Sequence, residues 1–384
     1  MPLKCLLHKF HNTPYDLHVK RKRKRKEEKT MSIQDYRINP KNGLEFGLYS
    51  LGDHMPDALT GERISSKERV DQIVQEAVLA EQAGLDFFSI GESHQKYFVG
   101  QAHAVMLGAV SQATKKIKIG SAATIVSTSD PVRIYENFAT LDLLSNGRAE
   151  IIGGRASRVG LFELLGYDLK DYEELFEEKF ELLLKINQEK FVTWEGNFRA
   201  PLKNAEVLPR PLNDKMPIWR AVGGPAESAI KAGRQGVPMA IAMLGGPVSI
   251  FKRSVLAYRE SLAINGYNPD DFPVATTGLF YAAKDSQTAL REFYPYVNKG
   301  IEIANGTGFN KRLFANGAYP KDVMAIGSPQ QIIEKILYQY EEFGHQRYMA
   351  QIDFGGMPFK KVMENIEMIG TTILPAVKKY TKEK

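Results

Sequence analysis

Eight short apolar runs alternate with helical segments along this chain, and this alternation restricts the possible fold more than any other feature. The runs cover residues 44–50, 87–91, 117–122, 149–153, 218–222, 239–243, 274–281 and 347–353. They are almost continuously apolar, which is typical of strands buried on both faces of a parallel sheet. Strands that alternate with helices in this way predict β–α units.

The segments between the runs carry the start and stop signals of helices. "SSKERVDQIVQEAVLAEQAG" opens with Ser65 and Glu68 at the spacing of a capping box. "DPVRIYENFATLDLLSNG" has Asp130 as a predicted N-cap, Pro131 in the first turn and Gly147 beyond the end. "DYEELFEEKFELLLKI" and "SPQQIIEKILYQYEEFG" are amphipathic at helical spacing.

Eight β–α units favour an α/β fold of one particular kind, a single (β/α)₈ TIM barrel. An open doubly wound sheet is the alternative that the same elements allow. Segments 191–217 and 306–327 are rich in Gly, Pro and Asn, and we predict that they are insertions at the barrel mouth. The barrel domain is expected to cover residues 41–384.

The charge is distributed unevenly along the chain. Residues 1–30 contain ten Lys/Arg and three Asp/Glu, with "KRKRKRK" at 20–26, whereas the remainder contains 41 basic and 42 acidic residues. We therefore interpret residues 1–40 as a basic N-terminal extension, either disordered or non-native because Met31 opens the sequence that leads into the first strand. A functional basic tail is the alternative. The nearly neutral body makes nucleic acid an improbable partner.

Several classes of protein are excluded by composition. The one cysteine, Cys5, rules out a disulfide framework and a cysteine-based metal site, and no metal site is predicted. No stretch of 18 residues is apolar enough to resemble a membrane span, and the N-terminus lacks the apolar region of a signal peptide. The expected location is the cytoplasm, with no membrane association.

Two of the predicted strand ends have the composition of an anion site. In a TIM barrel, the catalytic and ligand-binding residues lie where the strands end and the βα loops begin. "GGPAES" joins a strand to a helix, so that Gly223, Gly224 and the first helical turn offer unpaired N–H groups, to which Ser228 adds a hydroxyl. Arg155 ends the neighbouring strand and can grip a phosphate through two hydrogen bonds. The alternatives are a plain tight turn and an ion pair between Arg155 and Glu163 or another carboxylate.

Four stretches resemble the bacterial luciferase-like flavin monooxygenase family. They are "GLDFFSIGESHQ", "IKIGSAATIVSTSDPVRIYENFATLDLLSNGRAEIIGGRAS", "PIWRAVGGPAESAIKAGRQGVPMAIA" and "YMAQIDFGGMP". The resemblance runs in order from about residue 44 to residue 378. Its most specific part is "DPVRIYENFATLDLLSNGRAEIIGGR".

This resemblance implies a TIM barrel that binds reduced FMN non-covalently and reacts it with oxygen. Arg155 matches the family's phosphate-binding arginine and Ser228 its hydroxyl residue, while Ala122 and Ala123 match a pair joined by a non-proline cis peptide under the flavin ring. The implied partners are a small-molecule substrate, oxygen, a separate NAD(P)H:flavin reductase and a second copy of the chain. The cofactor-binding set that we predict is Ala122, Ala123, Arg155, Ser157, Gly223, Gly224 and Ser228.

Two positions depart from the family's pattern. Luciferases have Glu-His-His after the second strand, whereas this chain has Glu92, Ser93 and His94, so that serine replaces the catalytically important first histidine. Gly154 stands where luciferases have a reactive cysteine. We therefore do not expect light emission from a long-chain aldehyde, but a relative with its own substrate.

His94 is the candidate catalytic residue. Its imidazole could take a proton or hydrogen-bond the oxygenated flavin, because histidine titrates near neutral pH. The alternative is a structural role in which it is bonded to Glu92 or to a backbone carbonyl. Ser93, Tyr97 and Phe98 are predicted to line the substrate pocket, although packing alone would also explain the two aromatic residues.

The predicted function is that of an FMN-dependent monooxygenase acting on an unidentified small organic substrate. No G-x-G-x-x-G fingerprint follows a strand, which argues against a built-in pyridine nucleotide domain. Two alternatives stay open. One is a deazaflavin (F420)-dependent hydride-transfer oxidoreductase on the same barrel, and the other is a non-enzymatic protein that binds flavin or nucleic acid.

Overall fold

Eight parallel strands form a closed barrel. The computed structural model describes residues 32–156 and 160–382. We label the barrel strands in chain order as β1 Glu45–Ser50, β2 Phe87–Ile90, β3 Lys118–Ser121, β4 Ala149–Gly154, β5 Ile218–Val222, β6 Met239–Met243, β7 Val274–Ala282 and β8 Arg347–Gln351.

The pairing order establishes the closure. Each strand from β1 to β8 pairs with the next along the chain, and β8 then pairs with β1 in the register Glu45 to Arg347. All these pairings are parallel, so no strand edge of the ring is left open. The TIM-barrel prediction is confirmed and the open-sheet alternative is wrong.

Helices surround the barrel, and both predicted N-caps are present, although Ser65 and Glu68 form only one of the two hydrogen bonds of a capping box. Ser65 Oγ accepts a hydrogen bond from Glu68 N at 3.1 Å, and Asp130 caps Val132 N at 2.8 Å. No helix within the described residues is both long and apolar enough to cross a membrane. The α-helices are Ser66–Gln82, His103–Ala113, Pro131–Leu144, Leu161–Leu165, Tyr172–Gln188, Ala226–Gln235, Val248–Ile264, Ser286–Asn305, Lys311–Ala315, Pro329–Phe343, Phe359–Met368 and Leu374–Lys382.

The two insertions reach the mouth in different ways. Segment 191–217 follows a helix and precedes β5, so it starts at the opposite end of the barrel. Its antiparallel hairpin, Phe191–Trp194 with Leu202–Glu206, then brings Arg199 to within 3.0 Å of Asp130 at the start of a mouth-side helix. Segment 306–327 lies at the mouth itself, where the short strand Ala325–Gly327 pairs with the end of β7.

The chain enters the fold before residue 41. Tyr36 is buried, with its ring 6.3 Å from that of Trp219, and Arg37 pairs with the buried Asp142 at 3.0 Å. Residues 32–40, which the charge pattern assigned to the extension, therefore pack against the barrel. The predicted arm up to residue 31 lies outside the described residues.

The last helix of the described chain closes over the start of the first strand. Leu44 N donates a hydrogen bond to Thr381 Oγ1 at 2.8 Å. Gly43, with φ +76°, lies so close that a β-carbon there would be 2.6 Å from the same oxygen. The last helix therefore lies beside the start of β1 at the N-terminal side of the barrel, opposite the mouth.

An ion cluster fills the N-terminal end of the barrel interior. Arg347 is fully buried, donates to both oxygens of Glu150 at 2.8 and 3.1 Å, and reaches Glu45 at 2.9 Å. Its guanidinium also lies 4.1 Å from the ring centre of Phe87. Burial alone would raise the pKa of Glu150, but Arg347 reverses the effect and lowers it. The cluster joins β1, β4 and β8 across the barrel.

Candidate functional site

Arg155 directly follows β4 at the mouth. Its side chain is about one-quarter exposed and donates to Glu173 on the helix Tyr172–Gln188. Its guanidinium lies 5.7 Å from the ring centre of Tyr172 and 5.9 Å from that of Phe176. The two aromatic rings orient the arginine. Its carboxylate partner is Glu173 and not Glu163, the candidate that the sequence analysis named.

The turn after β5 leaves room beside an unpaired hydroxyl. Gly223 and Gly224 are exposed, and a β-carbon at Gly224 would meet no atom within 4 Å. Ser228 lies in the first turn of Ala226–Gln235, where its Oγ is buried and has no hydrogen-bond partner among the residues that the structure describes. A buried hydroxyl without a partner is uncommon, and it fits a ligand oxygen bound at this helix start.

Two further cations border the same helix. Lys231 Nζ lies 3.5 Å from Glu173 Oε2 and 3.4 Å from Glu177 Oε1. The fully buried Arg220 donates to both oxygens of Glu177 at 2.8 and 2.6 Å. Burial opposes ionisation of Glu177, but the bonds from Arg220 outweigh it and lower the pKa. Ionised carboxylates and cations thus alternate across this side of the mouth.

The peptide between Ala122 and Ala123 is cis, as the family resemblance implied. It follows β3 and touches its neighbours closely, since a β-carbon on Gly91 would lie 2.6 Å from Ala122 O. A β-carbon on Gly154 would lie 2.9 Å from that of Ala123 and 3.1 Å from that of Ala221. The cysteine that luciferases have at this position would therefore require its neighbours to shift.

His94 is bonded to a carboxylate that also binds Ile125, two residues after the cis peptide. His94 Nε2 lies 2.6 Å from Glu92 Oε1, while Glu92 Oε2 accepts from Ile125 N at 2.7 Å. His103 Nδ1 lies 3.8 Å from the same carboxylate. Burial lowers the pKa of His103 despite the opposing effect of Glu92. The hydrogen bond to Glu92, which a structural role of His94 predicts, is therefore present. It also fixes the His94 ring at the mouth.

The predicted pocket residues lie in a loop that is tied to the loop after β1. Phe98 is buried, whereas Ser93 and Tyr97 are partly exposed. His54 N donates to Tyr97 O at 2.8 Å, and Tyr97 adopts φ +71°. Ser157 lies outside the described residues. The structure therefore brings the other predicted residues to the mouth in two groups, one around Arg155 and Ser228 and one around His94.

Near the mouth, one buried arginine binds two carboxylates and a backbone carbonyl. Arg69 donates to Glu76 at 2.8 Å and also to Asp353, and its Nε donates to the backbone carbonyl of Asp53 at 2.6 Å. Ser50 Oγ also bonds Asp353. Burial raises the pKa of Glu76 to about 7; Arg69 opposes this shift, and the negative charges of Asp353 and Asp53 add to it.

Replacing Glu76 with glutamine is expected to flatten the pH dependence of stability. The raised pKa means that the folded chain holds a proton on Glu76 up to about pH 7, while the unfolded chain releases it near its ordinary value of 4.5. This contribution is complete below about pH 4.5 and is lost as the pH rises through about 7. Urea unfolding at about pH 5 and about pH 8 measures it. Glu68→Gln, on the exposed face of the same helix, is the control; equal pH dependence in the parent and both variants would contradict this assignment.

Sequence reasoning missed Glu173, Glu177 and Lys231. Lys231 follows Ser228 by three residues on one helix, and this spacing places both side chains on the same face. The sequence alone could therefore have predicted Lys231 as a neighbour of Ser228. The two glutamates lie on a different helix, and only the folded chain brings them to this face. Nothing in their local sequence separates them from ordinary surface carboxylates.

Comparison with known proteins identifies a family that covers most of the chain. The model of the luciferase-like monooxygenases matches residues 44–347. The oxygenase component of a flavin-dependent trigonelline monooxygenase from Acinetobacter baylyi is 22% identical over 85% of this chain and 95% of its own.

Two solved structures share the fold. The oxygenating constituent of 3,6-diketocamphane monooxygenase from the CAM plasmid of Pseudomonas putida, in complex with FMN, has a TM-score of 0.69 and 18% identity, covering 87% of this chain and 98% of its own. An F420-dependent secondary alcohol dehydrogenase has a TM-score of 0.67 and 20% identity, covering 87% and 99%. At these identities the likeness supports the fold alone. The family match over 44–347 carries the assignment, and this chain belongs to the luciferase-like monooxygenases.

Proposed function

We propose that the chain is the oxygenase of an FMN-dependent monooxygenase system and acts on a small organic substrate. Three observations support this proposal: Arg155 follows β4 with its side chain only partly exposed, the open Gly223–Gly224 turn follows the neighbouring β5, and Ser228 Oγ is buried without a partner among the described residues. A phosphate monoester supplies the negative charge and the acceptor oxygens that these groups lack. We place the reaction in the cytoplasm.

The chain's own residues would hold and shield the cofactor. Arg155, Ser228 and the backbone at Gly223 and Gly224 would bind the phosphate, with Ser157 as a further contact, and Ala122–Ala123 would lie against the flavin ring. When bound, reduced FMN supplies the electrons with which oxygen is activated. Loops that close around such a site exclude water from the reaction.

His94 is proposed to exchange a proton at the substrate or cofactor. Glu92 holds the His94 ring through Nε2, which leaves Nδ1 as the nitrogen for that exchange. Ser93, Tyr97 and Phe98 would form the adjacent wall. A His94→Gln variant that kept both the turnover rate and the pH profile of the parent would exclude this role.

The decisive experiment is a screen for oxygen uptake. Reduced FMN would be supplied chemically or by a separate NAD(P)H:flavin reductase, and organosulfur, aldehyde, amine and cyclic ketone substrates would be added in turn. We expect one class to yield an oxygenated product in step with oxygen consumption. Product formation from none of these classes would count against the monooxygenase proposal.

The F420 alternative is supported by one observation, the fold shared with the F420-dependent alcohol dehydrogenase. Such an enzyme would bleach F420 on addition of an alcohol and consume no oxygen. A protein that only binds flavin would give neither product. A nucleic-acid-binding role would require salt-sensitive binding of RNA or DNA that disappears when residues 1–30 are removed.

A homodimer is also proposed. Two neighbouring helices, His103–Ala113 and Pro131–Leu144, expose large apolar side chains, with Val105 75% and Leu144 54% exposed. Burial of this surface would favour pairing of two copies. Light scattering at micromolar concentration is expected to give twice the chain mass of 43.1 kDa. A monomer mass would contradict the proposal.

A further inference from the structure

One carboxylate joins two cations that come from separate elements at the mouth. Glu173 Oε1 accepts from Arg155, which follows β4, and Oε2 lies 3.5 Å from Lys231 Nζ on the helix Ala226–Gln235. Glu173 is itself about half exposed, so the pair is not held by burial. An anionic group thus already lies between Arg155 and the helix that begins beside the Gly223–Gly224 turn.

The neighbouring groups suit a larger anion better than this carboxylate. Ser228 precedes Lys231 by three residues and keeps a buried hydroxyl without a partner. The first-turn N–H groups of the same helix have no partners within the helix. Glu173 pairs with both cations, of which Lys231 also lies 3.4 Å from Glu177 and 3.7 Å from Glu227, but it leaves the Ser228 hydroxyl unpaired.

We propose that Glu173 is an internal competitor for the cofactor's phosphate, and that Lys231 is a second phosphate-binding cation beside Arg155. The phosphate monoester of the flavin displaces the Glu173 carboxylate, which turns outward into water, and takes its place between the two cations. This inference rests on the proposed function and adds to it a residue that sets how tightly the cofactor is held.

The energetics favour exchange over a permanent ion pair. Exposed ion pairs are weak because water and salt screen them. Hydrogen bonds to a doubly charged phosphate are stronger, and the serine hydroxyl and helix start add to them. Glu177 stays in place during the exchange because Arg220 holds both of its oxygens.

The consequence is a cofactor that is bound specifically but released readily. When the flavin dissociates, Glu173 pairs again with Arg155, so that the guanidinium does not remain without a carboxylate partner. This behaviour fits an oxygenase that receives reduced flavin from a separate reductase.

Glu173→Gln tests the competitor role, with Glu174→Gln as its matched control. Both residues lie exposed in the first turn of Tyr172–Gln188, so each change removes one charge from the same helix start. Quenching of flavin fluorescence would give the dissociation constants of FMN and riboflavin. We expect Glu173→Gln to tighten FMN binding roughly three- to five-fold and to leave riboflavin unchanged. Glu174→Gln should change neither.

Lys231→Met tests the second cation independently. It should weaken FMN binding roughly five-fold without affecting riboflavin, since only FMN carries the phosphate. Inorganic phosphate should compete with FMN, and more effectively in Glu173→Gln than in the parent.

The outcomes separate this inference from the proposed function. If FMN binds better than riboflavin and phosphate competes, but the two glutamate variants match the parent, Glu173 is a bystander and the inference is overturned. An equal gain for both flavins would also overturn it, because the effect would not act through the phosphate. If the parent binds both flavins equally and phosphate does not compete, the phosphate site of the proposed function is itself wrong.

Discussion

Arg155→Ala is expected to weaken FMN binding by about 2–3 kcal/mol and to leave riboflavin binding almost unchanged. The arginine is the cation best placed to make two charge-assisted hydrogen bonds to the phosphate. Tyr172 and Phe176 lie beside the guanidinium and hold it in one orientation. The loss should therefore mainly reflect direct contacts with the phosphate, because the guanidinium is already oriented and only its partner Glu173 has to move. Titration of both flavins against the parent and the variant measures it.

Ser228→Ala is expected to weaken FMN binding less than Arg155→Ala does. A single hydroxyl hydrogen bond is worth about 1 kcal/mol, and in the flavin-free chain this hydroxyl has no partner to lose. The two changes should not add in Arg155→Ala/Ser228→Ala, because both groups hold one phosphate. Equal losses for FMN and riboflavin would mean that Arg155 supports the fold and not the phosphate.

Replacing Arg347 with methionine should lower the free energy of unfolding by about 3–5 kcal/mol. Methionine fills much of the same volume, so the main cost is electrostatic. The change leaves Glu150 buried without its two guanidinium bonds and removes one partner from Glu45. A buried carboxylate without a cation is costly because it has left water without compensation. Urea unfolding monitored by far-ultraviolet circular dichroism gives the difference.

An exposed pair of the same type is the matched control. Arg133 has a side chain that is 79% exposed and pairs with Glu136 at 2.8 Å. Arg133→Met should change stability by less than about 0.5 kcal/mol, because water already solvates both partners. If the two arginine variants lost similar stability, the buried cluster would not hold the strands together as described.

The strands were predictable because burial on both faces leaves a simple signal. The runs at 218–222 and 239–243 coincide with β5 and β6, and no strand end differs from its predicted position by more than two residues. The largest difference is at β8, predicted to reach residue 353 but ending at Gln351, because Asp353 leaves the sheet to meet Arg69 and Ser50. Apolar periodicity does not encode that polar contact.

Only part of the candidate site could be predicted from the sequence. Arg155, the glycine turn and Ser228 follow strand ends, so their positions in the sequence are enough to assign them to the mouth of a barrel. Three strands separate the helix that carries Glu173 from the glycine turn along the chain, and the contact of Glu173 with Arg155 depends on how that helix packs. Electrostatic partners of this kind depend on tertiary geometry, which local composition does not carry.

The hydrogen bond between Leu44 and Thr381 has a practical consequence for experiments on this chain. It places residue 382 at the end of the barrel opposite the mouth, next to the start of β1. An affinity tag or a surface anchor attached there would therefore point away from the cofactor and substrate entrance. Immobilised flavin-transfer assays could thus be built on this end without obstructing the entrance.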